Sequence, residues 1–393
     1  MNEILSMGIN QMNKADFECS CGRRHTLPIE HISIGKGALE TLPQFIRPFQ
    51  EGKIFLLSDQ NTYQAAGSRV HQMLTNEGRQ VKSFSFETGE DILIPNELAI
   101  GRMFMEFELD TQLIIVAGSG TLNDMAKFLS SRTGVPYIVV CTAPSMDGYA
   151  SNGSPLICNG FKNSFVATLP YAIVGDTDIM KEAPMHLIQA GFGDVIGKIT
   201  ALADWYLSKL ATGEYYCETC VTLVQRALDK VTSNAEGILK RDENAILYLI
   251  EALTLTGVAM GLIGISRPAS GSEHQLAHFW EMAAIAEGRY PDLHGIKVGI
   301  GTSIIAEVYE LMADAIPAEA RALCPPRADI DRLLQTAGCK RLPQESHVSR
   351  ELLFESLMKA NTIRQRYTIL AKAEKIGRLE EIASKITERI YNQ

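Results

Sequence analysis

Along the first half of the chain, short β-branched runs alternate with helical patterns: HISIG (31–35), KIFLLSD (53–59), QVKSFSF (80–86), QLIIVAG (112–118), PYIVVC (136–141) and YAIVGD (171–176). Continuous apolar runs of this length, bounded by Gly, Asp or Pro, read as strands buried on both faces of a largely parallel sheet. From about Ala183 the period changes. MHLIQAGFGDVIGKITALADWYLSKL, ENAILYLIEALTLTGVAMGLIGI, HQLAHFWEMAAIAEG, IKVGIGTSIIAEVYELMADAI and the stretch from Arg350 onward are all helix-length, and no further strand is expected. The pattern predicts an α/β N-terminal domain over 1–180 followed by an all-α C-terminal domain over 181–393.

Size and composition agree with that division. A chain of 393 residues with 46% hydrophobic residues has material for two cores. The net charge of −9 is spread without like-charge blocks, so nucleic acid and anionic membrane are not expected partners. Apolar runs such as LIIVAG and YIVVC fall short of the ~20 residues a bilayer demands, so no membrane span is expected. The first residues carry neither a basic leader nor a small-residue cleavage site, and eight cysteines are too sparse for a disulfide scaffold. A cytoplasmic protein with reduced thiols is the expectation.

Two loops at strand ends carry candidate chemistry. LIIVAGSGTLNDMAKF runs from a strand through Gly118, Ser119, Gly120 and Thr121 into a helix, where backbone N–H groups can approach a pyrophosphate; the same residues also suit a plain strand-to-helix turn. CTAPSMDGYAS places Thr142, Ser145, Asp147 and Ser151 at the end of the next strand, where open α/β sheets bind ligands. Asp59, ending KIFLLSD, suits a ribose hydroxyl pair or a helix cap.

The helical half concentrates imidazoles. His274 and His278 lie four apart on one helix face, and His294 follows a Pro-containing loop, so three of eight histidines fall within 21 residues. Each alone reads as a core or capping histidine. Asp194, in GFGDVIGK, reads as an N-cap near a helix start or as a further metal ligand. Two other segments offer metal-type residues. Cys19, Cys21 and His25 in CSCGRRH supply three donors without a second cysteine pair nearby, which falls short of a structural zinc motif. CETC (217–220) opens an apolar helical pattern, and a structural role is expected.

The motifs SDQNT, GSGTLNDMAK, TAPSMDGYAS, GFGD, SGSEHQLAH and LHGIKVGIGT together resemble the sn-glycerol-1-phosphate dehydrogenase family, bacterial branch, within the iron-containing alcohol dehydrogenase and dehydroquinate synthase-like superfamily. The resemblance implies reversible reduction of dihydroxyacetone phosphate, a phosphorylated triose, by NAD(H) or NADP(H). It also implies one divalent metal ion, nickel, zinc or iron, on Asp194, His274 and His294. It assigns Asp59 to the adenosine ribose, Gly118, Ser119, Gly120, Thr121 and Leu122 to the pyrophosphate, and Thr142, Ser145 and Ser151 to the nicotinamide side. Asp124 and Lys127 complete the pyrophosphate motif. Asp147, His278 and Asp194 would contact substrate, with His278 or a metal-bound water relaying the proton. Arg267, Lys162 and Lys297 are candidate cations for the substrate phosphate. A glycerol (polyol) dehydrogenase and a non-catalytic nucleotide- or metal-binding relative are the alternatives; the dehydroquinate synthase branch carries a glutamate where Asp194 stands. The charged tail from Arg350 to Gln393 is expected to pack on the helical half or on a second subunit of a homodimer.

Overall fold

The computed structural model describes residues 3–50, 52–89 and 92–392. Six strands form one parallel sheet: β3 (His31–Gly35), β4 (Lys53–Asp59), β5 (Val81–Phe86), β6 (Thr111–Gly118), β7 (Tyr137–Cys141) and β10 (Ala172–Asp176), in the order β3-β10-β7-β6-β4-β5. Their apolar runs are continuous because both faces are covered. Ile54, Leu56, Ile115 and Val140 pack on one side of the sheet, and Phe55, Leu57, Val116 and Val139 on the other. The strand order reverses between β4 and β6, so Asp59 and Gly118 end neighbouring strands at a topological switch point, the usual ligand crevice of such sheets. Helices α1 (Ser68–Asn76), α2 (Glu97–Glu106) and α3 (Gly120–Thr133) connect these strands.

Two hairpins were not foreseen. The pair β1 (Asp16–Glu18) and β2 (Arg24–Thr26) precedes the sheet, and β8 (Gly153–Cys158) with β9 (Phe161–Val166) interrupts it. The second hairpin turns on Asn159 and Gly160, both with positive φ (53° and 77°), the two-residue turn that suits strand twist.

Among the described residues no strand follows Asp176. The longer helices of the second half are α4 (Met185–Ile196), α5 (Lys198–Thr212), α6 (Glu218–Thr232), α7 (Glu243–Ile263), α8 (Ser272–Ala286), α9 (His294–Leu311), α10 (Arg327–Thr336), α11 (Arg350–Lys359) and α12 (Leu379–Tyr391). The tail folds back on this half: Leu353, Leu357, Ile382 and Ile386 share a core with Ile300, Ile304 and Val308. The segment before β3 does likewise. Ile4, Ile9, Met12 and Leu27 join a core that includes Leu223, Val224 and Leu262, so these residues pack with the helices that follow the sheet in sequence.

The expectation that every apolar run is short fails at α7. Its 21 residues are long and apolar enough to cross a membrane by length and composition, but 67% of its most apolar window is buried inside the protein, as in a core helix. It lies against α6, α4 and the loop at 148–150.

Candidate active site

Asp194 does not sit near a helix start. Helix α4 begins at Met185 after Pro184, and Asp194 falls in its last turn, where an N-cap role is excluded. The glycines around it serve close backbone approach. A Cβ on Gly191 would stand 1.8 Å from the Pro144 carbonyl oxygen, and one on Gly193 would stand 2.3 Å from the Gly295 carbonyl oxygen. Gly295 in turn leaves no room for a Cβ beside the Ala190 carbonyl oxygen, at 1.9 Å. These contacts press α4 against the start of α9 and against the 142–151 loop, and so bring Asp194 to His294, the first residue of α9.

Asp194, His274 and His294 each offer a donor atom, all within 4.8 Å of one another. His274 lies in the first turn of α8 and His278 one turn further on; ring centroids are 5.2 Å apart for His274 and His294 and 5.2 Å for His278 and His294. The orientation of both ligand imidazoles is fixed from behind. His274 Nδ1 donates to Glu273 Oε1 at 2.7 Å, and His294 Nδ1 donates to Glu281 Oε1 at 2.8 Å. A carboxylate only accepts, so each Nδ1 carries the proton and each Nε2 presents a lone pair. His274 Nε2 then faces Asp194 Oδ1 at 3.6 Å, acceptor against acceptor. Burial lowers the His274 pKa, but Asp194 and Glu273 outweigh it and raise it, so a proton or a cation between the two groups relieves the repulsion; one carboxylate with two neutral imidazoles is a donor set for a divalent transition metal.

A second triplet, His278, Glu281 and His294, is equally compact. Glu281, however, already accepts from His278 Nδ1 (3.2 Å) and Lys162 Nζ (2.7 Å) on Oε2, and from His294 Nδ1 and Lys297 Nζ (3.3 Å) on Oε1. Four donors fill its lone pairs, so it acts as the anchor of the site.

Charge compensation explains the titration behaviour. Burial alone would raise the Asp194 carboxyl, but the Lys198 ammonium beside it holds it far below the usual carboxylate range. Lys198 is itself buried. Its ammonium lies 2.6 Å from Asp194 Oδ1 and 2.7 Å from Asp147 Oδ2, and these carboxylates raise its pKa against the cost of burial. The Asp147 N–H donates to Asp194 Oδ2 at 3.0 Å, closing the link between the 142–151 loop and α4. Burial drives His278 down to about 3, outweighing the pull of Glu281, so its imidazole is neutral. His278 Nε2 accepts from Arg364 at 3.4 Å.

Behind Glu273 lies another buried carboxylate. Asp204 accepts from the Ser272 N–H and hydroxyl, the Ile369 N–H and the Tyr309 hydroxyl. Burial, reinforced by Glu273, pushes it up to about 6. Glu273, Glu281, Lys198, Asp204 and Arg364 were not singled out from the sequence. A buried charge beside a histidine motif, as in SEHQLAHFWE, was the available signal.

The other expected positions fall as follows. Gly118 ends β6, Ser119 caps α3, and Gly120 and Thr121 open that helix; Ser119 Oγ meets Ser145 Oγ at 2.6 Å. Gly118 lies against Leu122, which is buried, so Leu122 offers its backbone alone. Thr142 N–H bonds to the Gly118 carbonyl at 3.1 Å, keeping the two loops together. Lys127 is buried and bonds to Asp124 (2.9 Å), Ser151 (3.3 Å) and the Gly153 carbonyl (2.9 Å), which ties the 147–153 segment to α3. Asp59 caps the helical turn Gln60–Thr62, accepting from the Thr62 N–H at 2.8 Å. Lys162, on the unforeseen β9, and Lys297, on α9, both reach Glu281, whereas Arg267 is engaged by Glu214 (2.8 Å) and the Tyr367 carbonyl (3.0 Å).

Comparison with known proteins gives consistent matches. The family model described as iron-containing alcohol dehydrogenase matches residues 33–184. A glycerol-1-phosphate dehydrogenase [NAD(P)+] from Halalkalibacterium halodurans is 32% identical, covering 94% of this chain and 98% of the relative. One of the same description from Methanosarcina acetivorans is 32% identical over 90% and 95% of the two chains. Among solved structures, maleylacetate reductase from Rhizobium sp. strain MTP-10005 shares the fold with a TM-score of 0.69 at 15% identity, covering 94% of this chain and 97% of that one.

Proposed function

The chain belongs to the glycerol-1-phosphate dehydrogenase family of the iron-containing alcohol dehydrogenases, and we propose that it reduces dihydroxyacetone phosphate reversibly to sn-glycerol 1-phosphate with NADH or NADPH. The observation that carries this reading is the pair of Nδ1-anchored imidazoles, His274 and His294, presenting their lone pairs with Asp194 beside the polar 142–151 loop. These three residues would hold the divalent metal ion, zinc, nickel or iron. When bound, that ion supplies Lewis acidity at the substrate's C2 carbonyl, and reduced nicotinamide supplies the hydride.

The remaining work belongs to this chain's own residues. Backbone N–H groups from Gly118 to Leu122, at the start of α3, would hold the pyrophosphate. Asp59, with one oxygen committed to its cap, would take a ribose hydroxyl on the other. Thr142, Ser145 and Ser151 would line the nicotinamide side, and Asp147 would orient the substrate hydroxyls. His278, with Nδ1 on Glu281 and Nε2 facing Arg364, would contact the substrate and relay a proton through its two nitrogens. Lys198 Nζ, held between Asp194 and Asp147, is the group that carries a proton beside the metal donors. Lys162, Lys297 and Arg364 surround the Glu281 and His278 end of the site and would face the substrate phosphate. A role within the cytoplasm fits cysteines that form no disulfide among the described residues.

The test is a comparison of dihydroxyacetone and dihydroxyacetone phosphate as substrates of the metal-loaded enzyme with NADH. The phosphorylated ketone should be preferred by at least about tenfold in kcat/KM, the equivalent of one charge-assisted contact. Preference for the unphosphorylated ketone overturns the reading in favour of a polyol dehydrogenase.

A further inference from the structure

A second cluster of donors lies in the N-terminal segment, at the hairpin β1–β2. Cys19, Cys21 and His25 are joined there by Cys217, which is almost two hundred positions away and occupies the N-cap of α6; the four donor atoms lie within 4.8 Å of one another. Cys19 Sγ is 3.7 Å from Cys217 Sγ, and His25 Nε2 is 3.3 Å from Cys21 Sγ and 3.5 Å from Cys217 Sγ. A tetrahedron with Zn–S of about 2.3 Å and Zn–N of about 2.0 Å has S···S edges of about 3.8 Å and S···N edges of about 3.5 Å. The observed spacings match those edges, and none approaches the ~2.05 Å of a disulfide.

The surroundings are those of a metal ligand set. His25 Nδ1 donates to the Leu262 carbonyl at 2.8 Å, at the end of α7, which fixes the tautomer and aims the Nε2 lone pair at the sulfurs. Cys217 is the N-cap residue of α6, so that helix's N-terminus lies beside its sulfur. The Tyr215 hydroxyl meets Cys21 Sγ at 3.2 Å, and Arg23 stacks on the Tyr215 ring at 3.5 Å, covering the outer side. His25 and Cys217 are fully buried and Cys19 nearly so.

The hairpin also needs such a tie. Each strand has three residues, and an isolated two-stranded hairpin of that size is not stable in water. Its turn, with Gly22 in the left-handed region at φ 82°, projects Cys19 and Cys21 to the same point. We propose that Cys19, Cys21, His25 and Cys217 form a closed, structural zinc site that staples the N-terminal hairpin to α6 and α7. The site offers four protein ligands and no open position, so its zinc takes no part in the hydride transfer.

Asp194→Asn protein, purified whole without chelator, separates this ion from the catalytic one. Elemental analysis should find about one zinc per chain, and zinc X-ray absorption should show a sulfur-dominated first shell. A mercurial thiol reagent should release that zinc. Cys217→Ser should lose the sulfur-bound ion and His25→Cys should keep it; if Cys217→Ser does not fold, the Asp194→Asn protein alone decides. Zinc-free Asp194→Asn protein that stays folded, zinc with only nitrogen and oxygen neighbours, or a Cys19–Cys217 disulfide found by mass spectrometry would each overturn the proposal.

Discussion

The two donor clusters of this protein are built by opposite means. At Asp194, His274 and His294 the donors are nitrogen and oxygen, the imidazoles are anchored by the buried carboxylates Glu273 and Glu281, and a lysine ammonium stands against the aspartate. At Cys19, Cys21, His25 and Cys217 the donors are mainly sulfur, the imidazole is anchored by a neutral carbonyl, and the surroundings are a hairpin and a helix end. The first cluster has three ligands, leaving positions for a substrate; the second has four and leaves none. On the reading proposed above, donor number and the charge behind each imidazole would separate a site that reacts from one that holds.

The largest expected break of that contrast is Asp194→Asn, which should remove the catalytic metal and with it at least about a thousandfold of activity, as loss of transition-state charge stabilisation does. The fold should survive, with a circular dichroism melt close to the wild type's. Next, Glu281→Gln and Glu273→Gln should each cost about 10–100-fold in metal affinity or activity, because an imidazole loses its charged anchor. Metal titration followed by enzyme assay reads this, and an unchanged affinity in both would show that the anchors do not act.

Gly193→Ala should cost about 1–3 kcal/mol and displace α4 from α9, because its Cβ would press on the Gly295 carbonyl oxygen. Denaturant unfolding measures the stability, and activity should fall with it while the cysteine cluster keeps its metal. The smallest effect concerns pH. Asp204 has its pKa raised from 3.8 to about 6 in the folded protein, so the folded chain holds a proton that the unfolded chain gives up in this window. Stability from this group is therefore present below pH 3.8 and lost as pH rises towards 6, with a slope of at most about 1.4 kcal/mol per pH unit. Asp204→Asn should remove that slope, even though it disturbs the bonds to Tyr309 and Ile369; a slope unchanged in the variant would sink the assignment.

Much of this was legible in the chain. The six sheet strands coincide with the β-branched runs to within a residue, because a strand buried on both faces must be apolar throughout. His274 and His278 fall on successive turns of one helix as their spacing suggested, whereas His294 reaches both rings from the start of another helix. The hairpin at 153–166 was readable as well, since Asn159-Gly160 is a strong turn signal, but its strands are half-exposed and their apolar content is low. In GFGD, by contrast, the local pattern pointed to a cap, and only the packing of α4 against α9 and Pro144 revealed that the glycines permit contact.

By itself, then, the sequence determined the parallel sheet and the helical second half, because these follow from periodicity, while the donor residues of the proposed catalytic cluster came from its motifs' resemblance to a known family. Tertiary structure alone decided that Asp194 stands beside His294, that Glu281 and Glu273 hold the imidazoles, that Lys198 bridges two carboxylates, and that Cys217 joins the N-terminal cysteines. Asp194 and His294, Lys198 and Asp147, and Cys217 and the N-terminal cysteines lie far apart along the chain, while Glu273 beside His274 and Lys198 four residues from Asp194 are near in sequence but are turned towards each other only by the packing around them.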